Sequence, residues 1–339
     1  AIPLYVDLKI VGTSRGATLT IGDRAIELAT GSWSDWVTLD FDFAPFQSMR
    51  GIVKFHLSQG FPDVRLYMTP IQVDPQKPAL PISSPPEYAS KLADRIGRFH
   101  TLGMAEETWS LNEGHISDDA YLDMVADVYG QRERMLFDTL AQRDSALVVM
   151  VFVQPDRVSH MFWRGIDTQH PLHEGVNARG RAAIEWAYVE ADRILGKAIA
   201  SLTPNDKLVV LSDHGFAPYR HSVHLNRWLM ENGFLALKAG KSTSGALYQS
   251  VDWSRTKAYA QGLNGLFLNV RGRESQGILD PKAVAAVKRE LIAALTSLKN
   301  PTSNESVVSQ VYDASVVYRG GETKRAPDMV VGYAPGYRA

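Results

Sequence analysis

Ala146-Leu147-Val148-Val149-Met150-Val151-Phe152-Val153 is an unbroken apolar run. It does not alternate, so as a strand it needs cover on both faces, as in the middle of a parallel sheet. Leu208-Val209-Val210-Leu211 is a second such run. Between them, residues 177–201 have amphipathic helical spacing. Strand, helix, strand is a βαβ unit. It predicts an α/β domain with a central, largely parallel sheet flanked by helices.

Working outward, the first stretch reads as β-rich. Residues 17–21 and 26–28 flank a Gly22-Asp23 turn, the pattern of a hairpin. Residues 36–41, 51–57 and 64–68 alternate as further strands. Trp33, Trp36, Phe41, Phe43 and Phe46 are expected to form the core of this small sheet. Proline-rich punctuation from Pro70 to Pro86 follows. Helical spacing returns over 86–99 and over 117–142, where Ser117 is placed as an N-cap ahead of Asp118 and Asp119. A short helix is expected over 223–232, ending near Gly233. Later come a strand at 266–270, a helix at 281–298 with proline in its first turn, and a strand at 329–333. The expected division is a β-rich insertion or cap over 1–85 and an α/β portion over 86–339.

Composition narrows the function classes. The 339 residues are 45% hydrophobic and 22% charged, which suits a packed core rather than disorder. The net charge of −1 offers no global field for nucleic acid or an anionic membrane, so phosphate recognition has to be local. The absence of cysteine removes disulfides, thiolate zinc sites and a cysteine nucleophile. No apolar run approaches the roughly 20 residues that span a bilayer, and no basic-then-apolar leader is visible. The sequence therefore assigns no compartment.

Two clusters carry chemistry, each directly after one of the apolar runs, where open α/β sheets place their ligands. In Pro155-Asp156-Arg157-Val158-Ser159-His160, an acid and an imidazole stand four residues apart. They reach the same point if the loop opens a helical turn, and the pair suits Zn²⁺ or Mn²⁺. In Ser212-Asp213-His214-Gly215-Phe216, adjacent Asp and His follow the second run, and Gly215 allows a sharp backbone turn. An Asp and a His at a buried strand end are costly without partners, and a metal supplies one. Two such pairs on one βαβ unit can hold two ions for displacement at phosphorus. Arg157, Arg164 and Arg220 flank the motifs as candidate phosphate contacts. Of these, Arg164 is taken as the substrate-binding residue.

These motifs resemble the alkaline phosphatase superfamily, most nearly the type I phosphodiesterases/nucleotide pyrophosphatases. The resemblance continues through Leu225-Asn226-Arg227-Trp228-Leu229 and Asn232-Gly233-Phe234-Leu235, and also covers Gly31-Ser32-Trp33-Ser34-Asp35-Trp36, residues 157–164 and Gly272-Arg273-Glu274. It implies that Asp156 and His160 bind one divalent metal and Asp213 and His214 the other, with Zn most expected and Mn the alternative. It implies hydrolysis of a small phosphodiester or nucleotide pyrophosphate substrate, with a Thr or Ser nucleophile on the second metal.

The chain departs from the pattern in two places. No early Asp/Thr arrangement of the family kind precedes residue 150; Thr13 and Ser14, beside Gly12 and Gly16, are only superficially similar. No histidine follows His224, so the family's late His ligand is missing, unless His221 or His224 substitutes. The expectation is the middle-to-late part of a longer enzyme, poorly active alone. A phosphomutase or sulfatase relative on the same fold, or a non-catalytic binding module with a decayed site, stays open. So do the substrate and the oligomeric state.

Overall fold

The computed structural model describes residues 4–44 and 47–339, with backbone alone for 42–44 and 47. Phe46 therefore lies outside the described residues, and so does the side chain of Phe43. The chain divides into two compact units, Ala1–Asp213 and His214–Ala339.

The first unit opens with eight strands: β1 (Leu8–Gly12), β2 (Gly16–Ile21), β3 (Arg24–Ala29), β4 (Val37–Ala44), β5 (Gln47–Val53), β6 (Phe55–Gln59), β7 (Arg65–Met68) and β8 (Gln72–Val73). All their pairings are antiparallel: β1-β2-β3, β4-β5-β8 and β6-β7. The expected hairpin is β2–β3, with Ile21 opposite Arg24 and Gly22 at φ +59°, a left-handed turn position that glycine enters without penalty. Gly16 is needed for a different reason: a Cβ there would meet the Leu28 carbonyl oxygen at 2.0 Å. Inward residues of these strands, among them Leu19, Leu28, Leu39, Phe55 and Leu57, form one core, with Phe41 packed on it.

Five helices follow: α1 (Tyr88–Ile96), α2 (Thr108–Asn112), α3 (Asp118–Gln142), α4 (Gln154–Ile166) and α5 (Ala178–Ala200). Ser117 caps α3 by accepting from the Ala120 N–H, and Asn177 caps α5 by accepting from the Gly180 N–H. Their common core contains Tyr121, Leu122, Val125, Val158, Phe162, Ala183 and Ala187. Trp33 and Trp36 do not fill the β-core as expected. Trp33 Nε1 donates to the Ala120 carbonyl of α3 at 2.9 Å, and Trp36 packs against His100 and beneath Lys54. Lys54 in turn pairs with Asp127 of α3 at 2.6 Å. The β-rich stretch and the helices thus form one compact unit.

The second unit contains β9 (Tyr219–Ser222), α6 (Leu225–Glu231), β10 (Ala258–Gln261), β11 (Gly265–Leu268), α7 (Val284–Thr296), β12 (Val308–Asp313), α8 (Ala314–Val317), β13 (Met329–Tyr333) and β14 (Gly336–Arg338). An antiparallel sheet in the order β10-β11-β13-β12 is packed by α6 and α7 through Leu229, Leu266, Leu268, Leu291 and Leu295. Arg273, from the family-like Gly272-Arg273-Glu274 stretch, clips this sheet. It donates to both carboxylate oxygens of Asp328 and to the Leu268 carbonyl. Gly233 ends the α6 region at φ +74°, as its position suggested.

The described fold is mixed α/β, built from several small, mostly antiparallel sheets, and it does not show the expected central parallel sheet. Runs 146–153 and 208–211 are in no strand, and the expected central parallel sheet is not formed by the described residues. Among the named strands the one parallel pairing is β9 with β14, and two isolated parallel bridges join Val270 to Leu279 and Arg271 to Glu274. Leu147, Val149 and Val151 are exposed, and so are all four residues of 208–211. The physical reason is partnership: two isolated apolar runs lack the three or more strands and the covering faces that make a sheet stable.

Candidate metal centre

Asp156 and His160 lie on α4, a regular helix from Gln154 rather than a loop opening into a turn. Pro155 fits its first turn, where no intrahelical N–H bond is lost, and Asp156 is the acid of that turn. The i,i+4 spacing sets both side chains on one helix face. Asp156 Oδ1 and His160 Nε2 stand 3.4 Å apart, with side chains 31% and 58% exposed. That exceeds an ordinary N–H···O bond. Two ligands bonded at ~2.0–2.1 Å around a tetrahedral ion stand roughly 3.3 Å apart. The pair therefore has the spacing of two neighbouring metal ligands.

Helix α4 is seated closely on α5. A Cβ on Gly165 would lie 2.9 Å from the Gly180 carbonyl oxygen. Arg164 is engaged on the same helix: it donates to Asp118 at 2.6 Å and to the Met161 carbonyl at 3.0 Å. His173 is fixed behind it. Its Nδ1 donates to the Arg164 carbonyl, so its Nε2 accepts from Arg181.

Asp213 and His214 are exposed, not at a buried strand end as expected, because run 208–211 is itself exposed. His214 Nδ1 is 3.1 Å from the Gly215 carbonyl and its ring is 5.7 Å from that of Phe216. Donation from Nδ1 leaves the lone pair on Nε2, the tautomer a metal ligand uses. The boundary between the two units falls between Asp213 and His214. Among the described residues, no three His, Asp or Glu side chains converge to hold an ion. The Asp156–His160 spacing is compatible with two of the four ligands a zinc ion takes from protein and solvent.

The remaining candidates have structural settings. Thr13 sits in the turn between β1 and β2, its N–H bonded to the Gly16 carbonyl. His221 stacks on Tyr337, and His224 precedes α6. The recess of about 420 Å³ lined by Trp33, Trp36, Arg24 and Arg98 is no ready anion site, since Arg24 faces Asp40 and Arg98 pairs with the buried Asp74.

Sequence reasoning missed Glu106, Tyr121 and Gln154, which lie behind the first motif. Gln154, the first residue of α4, donates to Glu106 at 2.7 Å, and all three residues are almost wholly buried. Glu106-Glu107 reads like any solvated acid pair, so only packing reveals it.

Residues 57–339 match the model of the family described as type I phosphodiesterase / nucleotide pyrophosphatase. The chain belongs to that family. No curated protein and no solved structure matches the chain. The match begins in β6 and takes in both Asp/His motifs. Type I phosphodiesterases/nucleotide pyrophosphatases are hydrolases that generally use divalent metals, and membership implies an alkaline-phosphatase-like fold. Among the described residues, no helix is long and apolar enough to cross a membrane.

Proposed function

We propose that this chain carries part of the two-metal site of an enzyme hydrolysing phosphodiester or nucleotide pyrophosphate bonds in a small substrate. Asp156 and His160 hold one divalent ion, and Asp213 and His214 the other. The observation that carries the reading is the 3.4 Å approach of Asp156 Oδ1 to His160 Nε2 on one face of α4, within a chain of this family. One carboxylate with one imidazole suits Zn²⁺ first and Mn²⁺ second.

When bound, such ions stabilise charge on the phosphoryl oxygens and lower the pKa of a coordinated water. The chain's own residues do the rest. Asp156 brings negative charge to a helix N-terminus that favours it. His214, donating through Nδ1, presents Nε2. Arg164 can meet a substrate phosphate only if Asp118 releases it. The nucleophile and the remaining ligands are assigned to no residue of this chain. Runs 146–153 and 208–211 are proposed as parallel strands of the family's central sheet once their edges and faces are covered. The β-rich 1–85 is proposed as a cap.

A second reading has a specific observation behind it. The lack of any three-residue metal cluster among the described residues favours a chain that is inactive alone. The test is metal content and bis-p-nitrophenyl phosphate hydrolysis for wild type and a D213A/H214A double variant. Metal bound by the wild type and lost in the variant supports the site, and hydrolysis then shows a nucleophile is present. Metal without hydrolysis supports the inactive chain. Metal retained in the variant removes the second motif from the proposal.

A further inference from the structure

The start of α4 rests on a buried polar cluster that no step above uses. Glu106 is 1% exposed and Gln154 is fully buried, yet the two share one hydrogen bond, Gln154 Nε2 to Glu106 Oε1. Glu106 Oε2, Gln154 Oε1, the Tyr121 hydroxyl and Arg157 Nε are buried without hydrogen-bond partners. Burial first, then the charge of Glu106, push the Tyr121 phenol far above its usual range, while Arg157 pulls it down and Asp156 pushes it up. One phenol thus senses both carboxylates and the guanidinium. The orphaned atoms form a matched set: Tyr121 and Arg157 supply two donors, Glu106 and Gln154 two acceptors. Buried polar groups are retained at such a cost where they fix geometry.

The sequence positions say what is being fixed. Gln154 lies two residues before Asp156 on the same helical turn, and Arg157 lies directly after it. We infer that Glu106 is a positioning residue for Asp156, holding the first turn of α4 through Gln154 and closing the buried cluster with Tyr121 and Arg157. The inference rests on the proposed metal role of Asp156 and His160. It adds a supporting contact behind the ligands, of the kind that orients them.

The test is calorimetric titration of the full chain with zinc alone. Wild type is compared with H160A, E106L, E106Q and Q154A, and a far-UV spectrum checks that each is folded. The expected result is binding by wild type that H160A removes and that E106L weakens by about tenfold, the lower end for contacts behind a metal ligand. E106Q recovers most of the affinity, because an amide oxygen still accepts from Gln154. Q154A, which cuts the link from the other side, loses as much as E106L and decides the matter if E106L does not fold. Wild-type affinity in folded E106L or Q154A overturns the positioning role alone. No zinc uptake by wild type, or equal uptake by H160A, overturns the metal reading, and the positioning role falls with it.

Discussion

A methyl group on Gly165 would stand 2.9 Å from the Gly180 carbonyl oxygen and 3.0 Å from Arg181 Cα, both on α5. Backbone cannot yield as a flexible side chain can. Gly165→Ala should therefore push α4 from α5 and cost about 1–3 kcal/mol, the usual range for overpacking. Urea unfolding monitored by tryptophan fluorescence checks this. An unchanged midpoint would mean the helices are not held at this crossing. The same scale shows what the sequence disclosed about the site. That Asp156 and His160 share one face was legible, because i,i+4 spacing has that meaning on any helix. Glu106 was not, because its significance is burial against Gln154 and Tyr121, 48 and 15 positions along the chain. Arg164 looked free beside the motif, but its guanidinium is taken by Asp118, a partner that only the α3–α4 packing supplies.

Helix pairs are tied by charge as well as by packing. Glu133 of α3 accepts from Arg193 at 2.6 Å and from Lys197 at 2.6 Å, both on α5. Arg193's hydrogen bonds are the main cause that brings the Glu133 carboxyl down to about 2, outweighing burial, with Lys197 adding to them. A depressed folded-state pKa contributes stability that is present above the unfolded value near 4.5 and lost as pH falls toward 2. Glu133→Gln should thus lower the melting temperature at pH 7, and the gap to wild type should close between pH 4.5 and 2. Both cations are well exposed, so the expected loss at neutral pH is only about 0.5–1 kcal/mol. A gap that stays constant with pH would refute the linkage. Elements whose signals are local were legible: the Gly22 hairpin, the Ser117 cap, and β13 over Met329–Tyr333. The strands expected at 146–153 and 208–211 were not, because a buried strand is defined by neighbours on both edges. Apolar composition states the need for them without providing them.

At the scale of the molecule, that unmet need is the main tension between sequence and structure. The cores that do form draw on the β-strands, on α3 to α5, and on the sheet of the second unit. Apart from Phe152, which packs against the core of α3 to α5, runs 146–153 and 208–211 are left out. Leu147, Val149 and Val151 are 79%, 75% and 63% exposed, and Val209 and Leu211 are 76% and 81% exposed. Scattered exposed apolar residues are ordinary, but alternate ones along one run and consecutive ones along another run of the same unit form a sticky surface. Open strand-like segments with high β-propensity are also templates for pairing with other chains. The isolated chain should therefore bind the dye ANS strongly and self-associate as concentration rises. Val149→Lys and Val209→Lys together should cut both effects, since a charge in each run opposes stacking and collapse. Neither residue contributes to a described core, so the far-UV spectrum and the midpoint of urea unfolding should hold. Light scattering over a concentration series, with ANS fluorescence on the same samples, makes the measurement. A monomeric wild type with weak ANS emission would mean that the two runs are already covered within the chain, with the central sheet closing on its own residues.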